Sequence, residues 1–391
     1  MHFEDTRIAF ISKSDKDLQR AYWLFKTISH PWLVKTGTRM VSLAARWHIP
    51  VEWILKPTVY KHFCGGETLE RSLPVVEKMA AYRVKSILDY SVEGSESEAG
   101  VSHALNETLR SIRFAATSPH IPFAVFKPTA FTTSRLLEAA GSRHSLTQNE
   151  TLEANRFRQR IDRLCREAFD HDIPVLIDAE ESHYQHLIDQ VAEEMMKKYN
   201  REKAIIFNTF QMYRINRLDF LKESYRKARE GSYFLGAKFV RGAYMEKERE
   251  RAHKMGYPSP IHPDKDSTDR DYNAALKFSV EHIDRISIFN GTHNENSSAY
   301  LAELMKTHGI HPNDERIWFS QLFGMSDHIS FNLAHRGYLV AKYVPYGPVK
   351  LVIPYLLRRA EENTSVAGQS NRELDLIARE RQRRKLKNKL P

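Results

Sequence analysis

The sequence of 391 residues contains only two cysteines, Cys64 and Cys165, which stand far apart and form no CxxC pair. So few cysteines argue against a disulfide-stabilised scaffold and against a zinc site with cysteine ligands. The chain also lacks any apolar run of about 18 residues, the length that a membrane-spanning helix needs. No apolar core followed by small residues marks a secretory signal near the first residue. These absences favour a reducing cytoplasm as the compartment.

Two kinds of ligand motif are missing as well. No GxGxxG is present, so a Rossmann-type dinucleotide site is not predicted. His183 and His186 have the i, i+3 spacing of some metal ligands, but no carboxylate-flanked partner motif accompanies them. We therefore interpret both as surface histidines and predict no metal site.

The formal net charge of +10 is distributed unevenly. Residues 379–391 contain seven basic side chains and one acid, Glu380, so this segment supplies +6 of the total. A basic end of this kind is either solvated or in contact with anionic lipid, where each Lys or Arg gains about 1 kcal/mol. The tail therefore makes peripheral membrane contact a hypothesis. A basic nucleic-acid-binding protein is the alternative from another class, but because the charge is confined to one end, no nucleic-acid partner is predicted.

Short apolar runs rich in β-branched and aromatic residues alternate with longer amphipathic helical patterns. The runs cover residues 86–92, 123–130, 173–180, 203–210, 235–244, 286–293, 316–323 and 338–344. Eight such βα units are enough to close a barrel of roughly 250 residues. The sequence therefore predicts an α/β fold, a distorted (βα)8 barrel of the TIM type, over residues 81–365. Residues 1–80 are predicted as an N-terminal helical arm, and residues 366–391 as a C-terminal helix and basic tail.

Every run ends in polar or ionisable residues. In chain order they are Asp89 and Glu93, Lys127, Asp178, Asn208 and Gln211, Arg241 and Tyr244, Thr292 and His293, Gln321, and Tyr343. In barrel enzymes the active site lies at the carboxyl ends of the strands, so these groups are placed to face a ligand. Polar residues at the strand starts would face the opposite rim instead.

The segment after the eighth run, residues 353–363, predicts a helix with Pro354 in its first turn. Tyr355, Arg358, Arg359 and Glu362 have i, i+3, i+4, i+7 spacing and share one face. Each guanidinium offers a planar pair of donors that suits a carboxylate or a phosphate. By itself, an Arg-Arg pair on a helix is more often a solvated face.

Five motifs together resemble those of the proline dehydrogenase family. They are IDAEE at 177–181, VRGAY at 240–244, THN at 292–294, QLFGM at 321–325 and YLLRRAEENTS at 355–365. They occur in the order of the family, and the resemblance covers roughly residues 80 to 365. KYVPYGPV at 342–349 resembles the single-function, mitochondrial-type members more than the corresponding domain of proline utilisation A.

The resemblance implies a barrel that holds non-covalent FAD and oxidises L-proline to Δ1-pyrroline-5-carboxylate, the first step of proline catabolism. It implies that a membrane quinone accepts the electrons. A position on the inner face of a membrane is then an alternative to a purely cytoplasmic one, mitochondrial-type if the source is eukaryotic, although no transit peptide is visible.

The resemblance also assigns roles to residues of this sequence. Asp178, Lys238, Tyr343 and Tyr355 match catalytic positions. The proline-binding positions match Lys127, Leu322, Tyr343, Tyr355, Arg358 and Arg359. The FAD-binding positions match Asp178, Gln211, Lys238, Arg241, Gly242, Ala243, Tyr244, Thr292, His293 and Glu362. Glu93 matches a gate acid that pairs with one substrate arginine, although Val92 stands where the family has glycine.

Elementary chemistry agrees with these roles. Hydride transfer from a carbon beside nitrogen needs a neutral amine, and the cations Lys127, Arg358 and Arg359 disfavour the ammonium form. Basic groups such as Lys238 or Arg241 suit the charge of a reduced flavin. Hydroxyproline dehydrogenase is the alternative enzyme. Members of that kind have a smaller serine at the position of Tyr343, so tyrosine favours proline as the substrate.

Overall fold

A computed structural model describes most of the chain. The described residues are 2–30, 32, 34, 36, 37, 39, 40, 47, 51–92, 96–141, 145–365 and 369–387, without the side chains of 360–365, 369 and 370. The chain divides into two compact units. The first unit is Gly94–Ser320, and the second consists of His2–Glu93 and Gln321–Pro391. Each unit is described by itself below.

Eight parallel strands form the sheet of a (βα)8 barrel, which confirms the predicted fold class. The strands are β1 (Val84–Tyr90), β2 (Ala124–Phe126), β3 (Val175–Ile177), β4 (Ile206–Gln211), β5 (Leu235–Val240), β6 (Ile286–Gly291), β7 (Ile317–Leu322) and β8 (Val340–Tyr346). Their order in the sheet is β1-β8-β7-β6-β5-β4-β3-β2. Each strand overlaps one of the eight predicted apolar runs. Several predicted runs are longer than their strands because they include the polar residues that follow.

Helices separate the strands of the first unit. They are α6 (Glu98–Ala116), α7 (Ser134–Gly141), α8 (Gln148–Asp170), α9 (Gln185–Tyr199), α10 (Arg217–Glu230), α11 (Met245–Met255), α12 (Lys265–Glu281) and α13 (Glu295–Thr307), with a short 3-10 turn at Pro128–Phe131. Capping side chains explain several starts. Thr147 and Glu150, for example, form a reciprocal capping box at the start of α8.

The helices of the second unit lie in the arm and after β7. Those of the arm are α1 (Thr6–Ala9), α2 (Asp15–Ile28), α3 (Glu52–Leu55), α4 (Lys61–Phe63) and α5 (Leu69–Ala80), with a π-helical turn at Lys56–Tyr60 between α3 and α4. The later ones are α14 (Asp327–His335), α15 (Ile353–Ser365) and α16 (Gln369–Lys387). The predicted helix at 353–363 is therefore confirmed as α15. No described helix combines the length and the apolarity needed to cross a bilayer.

Aromatic rings fill the interior of the first unit near the amino ends of its strands. The ring of Phe123, just before β2, lies 5.7 Å from Phe207 and 5.2 Å from Trp318, both second in their strands. Such edge-to-face contacts stabilise a core beyond the area that they bury. Because apolar side chains occupy this end, the polar groups of the first unit concentrate at the carboxyl ends of its strands.

The arm and the C-terminal helix of the second unit share one apolar core. Phe10, Leu18 and Phe25 of the arm pack with Leu376 and Ile377 of α16. Two segments that stand at opposite ends of the sequence therefore stabilise each other. The predicted domain limits at residues 80 and 365 remain predictions.

Candidate active site

A lysine–aspartate–lysine cluster in the first unit joins β5 to the residues that directly follow β2 and β3. Asp178 directly follows β3, and its carboxylate accepts a hydrogen bond of 2.5 Å from Lys238 Nζ of β5. Lys127 Nζ, directly after β2, lies 3.9 Å from the other carboxylate oxygen. Lys238 is buried, whereas Lys127 is about one-third exposed. Of the three side chains, Lys127 is therefore the one that solvent or a ligand reaches most readily.

Gln211 ends β4 next to this cluster. Its side chain is buried, and the amide oxygen Oε1 has no hydrogen-bond partner among the residues that the structure describes. A buried acceptor without a donor is unfavourable, so such an atom usually marks a bound group or water. Gln211 therefore has the property expected of a ligand-binding residue.

Arg241 follows β5 and is held by three side chains. Its guanidinium donates to Asp269 Oδ1 at 2.8 Å, Thr292 Oγ1 at 2.6 Å and Ser297 Oγ at 3.0 Å. The same group lies 4.4 Å from the ring centroid of Tyr272. These contacts fix the guanidinium and tie the loop after β5 to Thr292, which follows β6.

The positions after Arg241 explain the VRGAY sequence. Gly242 has φ +141°, and a Cβ there would lie 2.5 Å from the ring of Tyr213. Only glycine accepts both conditions without strain. Ala243 is exposed, and Tyr244 is half-buried. The glycine therefore lets the Tyr213 ring pack directly against the backbone of this loop.

Glu180 is a site residue that the sequence reasoning missed. It is buried, and its carboxylate accepts hydrogen bonds from Tyr244 Oη at 3.0 Å and Thr129 Oγ1 at 2.8 Å. Burial raises the pKa of Glu180 above its usual value. Its position two residues after Asp178 was the available signal, because residues i and i+2 of an extended chain lie on the same side. Asp269 and Ser297, the partners of Arg241, had no comparable signal because they lie inside helices.

The second unit holds the residues matched to proline binding. Tyr343 and Tyr355 are buried, and Leu322 is half-buried. On α15 the Arg359 guanidinium lies 5.5 Å from the ring centroid of Tyr355, as expected for i, i+4 neighbours, and Arg358 is exposed. Tyr343 is the fourth residue of β8 and pairs with Ile87 of β1. It therefore lies within the strand, three residues before its end at Tyr346.

Comparisons with known proteins give independent evidence for the family of this chain. The family model described as proline dehydrogenase matches residues 72–372. Proline dehydrogenase 1, mitochondrial, of Dictyostelium discoideum is 32% identical over 97% of this chain and 74% of its own length. The chain belongs to the proline dehydrogenase family. This membership confirms the predicted enzyme class, an oxidoreductase that acts on proline.

One further relative and one solved structure show how far the similarity extends. A hydroxyproline dehydrogenase of Xenopus laevis is 31% identical over 96% of this chain and 88% of its own. The solved structure of proline utilization A from Bdellovibrio bacteriovorus, inactivated by N-propargylglycine, gives a TM-score of 0.73 at 20% identity. That match covers 91% of this chain but spans only 38% of the length of the other. At this identity the structure supports the barrel fold alone.

Two residues that the family resemblance assigns to the site cannot be placed in it by their contacts. Glu93 lies outside the described residues, and so does the side chain of Glu362. Thr292 is buried and His293 is half-buried directly after β6, where the resemblance expects flavin contacts. Asn208 lies elsewhere, because its amide donates to Asp189 of α9 at 3.0 Å. Within the described residues, no group of three His, Cys, Asp or Glu side chains is arranged to hold a metal.

Proposed function

We propose that this proline dehydrogenase is a flavoenzyme that oxidises L-proline to Δ1-pyrroline-5-carboxylate and passes the electrons to a quinone. The observation that carries the proposal is the polar end of the first unit, where Lys127 and Lys238 flank Asp178 and the buried side-chain oxygen of Gln211 has no hydrogen-bond partner among the described residues. The family resemblance assigns the same residues to FAD and substrate. In this proposal the enzyme catalyses the first step of proline catabolism.

The residues of the first unit fit a non-covalent FAD. Gln211 offers an acceptor that lacks a donor among the described residues, and the resemblance assigns Gly242 to the same group. Lys238 within β5 and Arg241 directly after β5 supply positive charge. When bound, FAD would supply the acceptor for the hydride. Thr292, His293 and Tyr244 would complete its contacts.

The cations have a second task in this proposal. Arg358 and Arg359 bind the proline carboxylate through charge-assisted hydrogen bonds. Lys127 contributes further positive charge, which lowers the fraction of ammonium on the substrate nitrogen. Only the neutral amine has the lone pair that drives the loss of hydride from carbon. Substrate binding and activation therefore use the same charges.

Tyr343 selects between proline and hydroxyproline in this proposal. The hydroxyproline dehydrogenase relative makes that second substrate the candidate to exclude. Tyr343 is buried, so its ring occupies space that a ring hydroxyl of the substrate would need. We therefore favour proline.

A visible spectrum tests the flavin and the substrate together. Protein purified with added FAD is expected to absorb as an oxidised flavoprotein and to lose this absorbance when L-proline is added without oxygen. Hydroxyproline should bleach it more slowly. A protein that binds no FAD, or a flavin that proline leaves oxidised, contradicts the proposal.

A quinone in the membrane can accept electrons only from an enzyme that contacts the bilayer. We propose that the arm and the basic tail together form this lipid-facing surface. Residues 16–61 contain eight basic and two acidic side chains, and four of the five tryptophans of the chain. Trp23 and Trp53 are 54% and 73% exposed, and Lys26 Nζ lies 5.1 Å from the ring centroid of Trp23. Exposed Trp beside cations suits the interface of an anionic bilayer.

The structure divides the basic residues of the tail into two groups. Arg383 and Arg384 donate to the buried carboxylate of Glu380, whereas Arg379, Lys385 and Lys387 are exposed. Co-sedimentation with phosphatidylglycerol vesicles is expected for the wild type, with weaker binding after Trp23→Ser and Trp53→Ser. Equal binding to phosphatidylcholine vesicles, or no change on removing both tryptophans, contradicts the role of the arm.

A further inference from the structure

The loop after β7, residues 322–327, has an unusually constrained backbone. We refer to it as the β7 loop. Gly324 has φ +81°, and Ser326 has φ +51° although it carries a side chain. A non-glycine residue in the left-handed region is disfavoured, and it persists where its surroundings hold it. The bonds that hold the β7 loop come from several parts of the second unit.

One ammonium group binds the loop at three points. Lys342 Nζ of β8 donates to Met325 O at 2.6 Å, to Leu322 O at 3.3 Å and to Asp327 Oδ1 at 2.6 Å. An ammonium has three N–H donors, so the loop engages all of them. Lys342 is completely buried. Its charge is therefore compensated by the loop and not by water.

Asp327 connects this lysine to the arm. Its second oxygen lies 3.3 Å from Lys13 Nζ, in the segment between α1 and α2. Burial alone would raise the pKa of Asp327, but the charges of Lys13 and Lys342 outweigh it and hold that pKa well below its usual value. The carboxylate is therefore charged over the ordinary pH range and available to both lysines.

Two more side chains from outside the barrel bind the loop backbone. Glu373 of α16 accepts the N–H of Ser326 at 3.0 Å, at the residue with positive φ. His62 of α4 donates from Nε2 to Gly324 O at 2.8 Å. A Cβ at Gly324 would also lie 2.4 Å from His62 O, so the arm packs directly on the loop.

The β7 loop in turn connects to the residues matched to the proline ring. The N–H of Phe323 donates to Tyr343 O at 2.7 Å. Leu322 packs with Tyr355 in one apolar cluster. Because successive side chains of a strand point to opposite faces, Lys342 and Tyr343 act on different sides of β8. A shift of the loop would therefore move Leu322 relative to Tyr355 and disturb the backbone hydrogen bond from Phe323 to Tyr343.

We infer that Lys342 is a positioning residue for proline binding: with Asp327, and braced by Lys13, His62 and Glu373, it holds Leu322 in place against Tyr355 and the backbone of Phe323 against Tyr343. This inference rests on the substrate contacts of the proposed function. It gives the arm and the C-terminal helix a role in substrate affinity.

A pair of variants separates positioning from stability. Lys342→Met should lower the Tm and raise the KM for proline, because it leaves Asp327 partly uncompensated and frees the loop carbonyls. In Lys342→Met with Asp327→Leu the buried charges are removed together, an exchange that is often neutral for stability. We expect the Tm of the double variant to recover while its KM stays about tenfold above wild type and kcat changes less. Recovery of both the Tm and the KM would overturn the inference.

Glu373 offers a second test if the double variant does not fold. Glu373→Gln keeps an acceptor for the N–H of Ser326, whereas Glu373→Leu removes it. A near wild-type KM in the first and a raised KM in the second support positioning. Equal KM values in both contradict it.

Amide hydrogen exchange of residues 321–328 gives a readout that needs no turnover. Faster exchange of this segment in Lys342→Met, relative to exchange elsewhere in the barrel, supports the inference, and unchanged exchange overturns it. A wild-type protein that does not oxidise proline would refute the proposed function and leave this measurement valid.

Discussion

Two buried lysine–aspartate pairs of this protein have nearly the same separation and different surroundings. Lys342 and Asp327 of the second unit are 2.6 Å apart, with side-chain exposures of 0% and 7%. Lys238 and Asp178 of the first unit are 2.5 Å apart, with exposures of 6% and 16%. Each aspartate has a second lysine nearby, Lys13 at 3.3 Å from Asp327 and Lys127 at 3.9 Å from Asp178, and Lys342 also donates to two backbone carbonyls.

The difference shows how one chemical pair serves two purposes. A buried ion pair contributes to a defined structure only when its remaining donors and acceptors are also satisfied. The pair in the second unit meets that condition through the backbone of a single loop. The pair in the first unit is more exposed, because Asp178 and its second lysine Lys127 directly follow the ends of β3 and β2, where a ligand can reach them. The following experiments test this contrast.

Lys342→Met should give the largest loss of stability. Removing one partner of a buried pair usually lowers the free energy of unfolding by about 3–5 kcal/mol. Urea denaturation measures this, with Lys203→Met as the matched control, because Lys203 pairs with Asp172 on the surface. The control should change stability by less than about 0.5 kcal/mol. Similar losses in the two variants would remove the basis of the contrast.

Lys238→Met should instead reduce activity. The loss of one preorganised electrostatic contact at a reacting centre lowers kcat by about 100-fold to 1,000-fold. Steady-state kinetics with proline measures this, and the loss of stability should be smaller than for Lys342→Met. Lys247→Met is the control, because Lys247 is largely exposed and pairs with Glu181. Wild-type kcat in Lys238→Met would show that this pair is structural too.

His62 should give the protein a pH-dependent stability below neutral pH. Burial lowers the pKa of His62 to about 4 from an ordinary value of 6.5. The unfolded chain then binds a proton below pH 6.5 that the folded chain rejects until about pH 4. The free energy of unfolding should fall across this window by about 3 kcal/mol.

His62→Gln is the companion variant for this measurement. Glutamine keeps an N–H donor for the carbonyl of Gly324 but does not titrate, so the variant should lose less stability between pH 6.5 and 4 than the wild type. Parallel pH profiles for the two proteins would show that His62 does not cause the loss.

Tyr343→Ser should give the smallest effect, a change of substrate preference. Space for one ring hydroxyl is typically worth about 1–3 kcal/mol in discrimination. The ratio of kcat/KM for hydroxyproline and proline should therefore rise about tenfold or more. Tyr346→Phe is a control, because Tyr346 is buried in the same strand but is not matched to the substrate. An unchanged ratio in Tyr343→Ser would exclude Tyr343 as the selector.

The strand-end residues were predictable because the periodicity of the sequence marks where each strand stops. Asp178 and Lys127 lie in the polar ends of two predicted runs and directly follow β3 and β2, and parallel strands bring such positions to one edge. The supporting residues were not predictable in this way. Glu373 contacts Ser326 across 47 positions, and nothing in the local sequence of α16 indicates that contact. The tail also had two alternatives, and the structure shows a helix to Lys387 with part of its charge engaged.

The sequence by itself determined the alternation of strands and helices, the fold class and the family, since each depends on local periodicity or on short motifs. It also determined which charged residues stand at strand ends. Only the tertiary structure decided how those charges are compensated. Burial, the third partner of a lysine and the distance to a distant helix depend on segments far apart in the chain, so Lys342 and Lys238 look alike in sequence and differ in the folded protein.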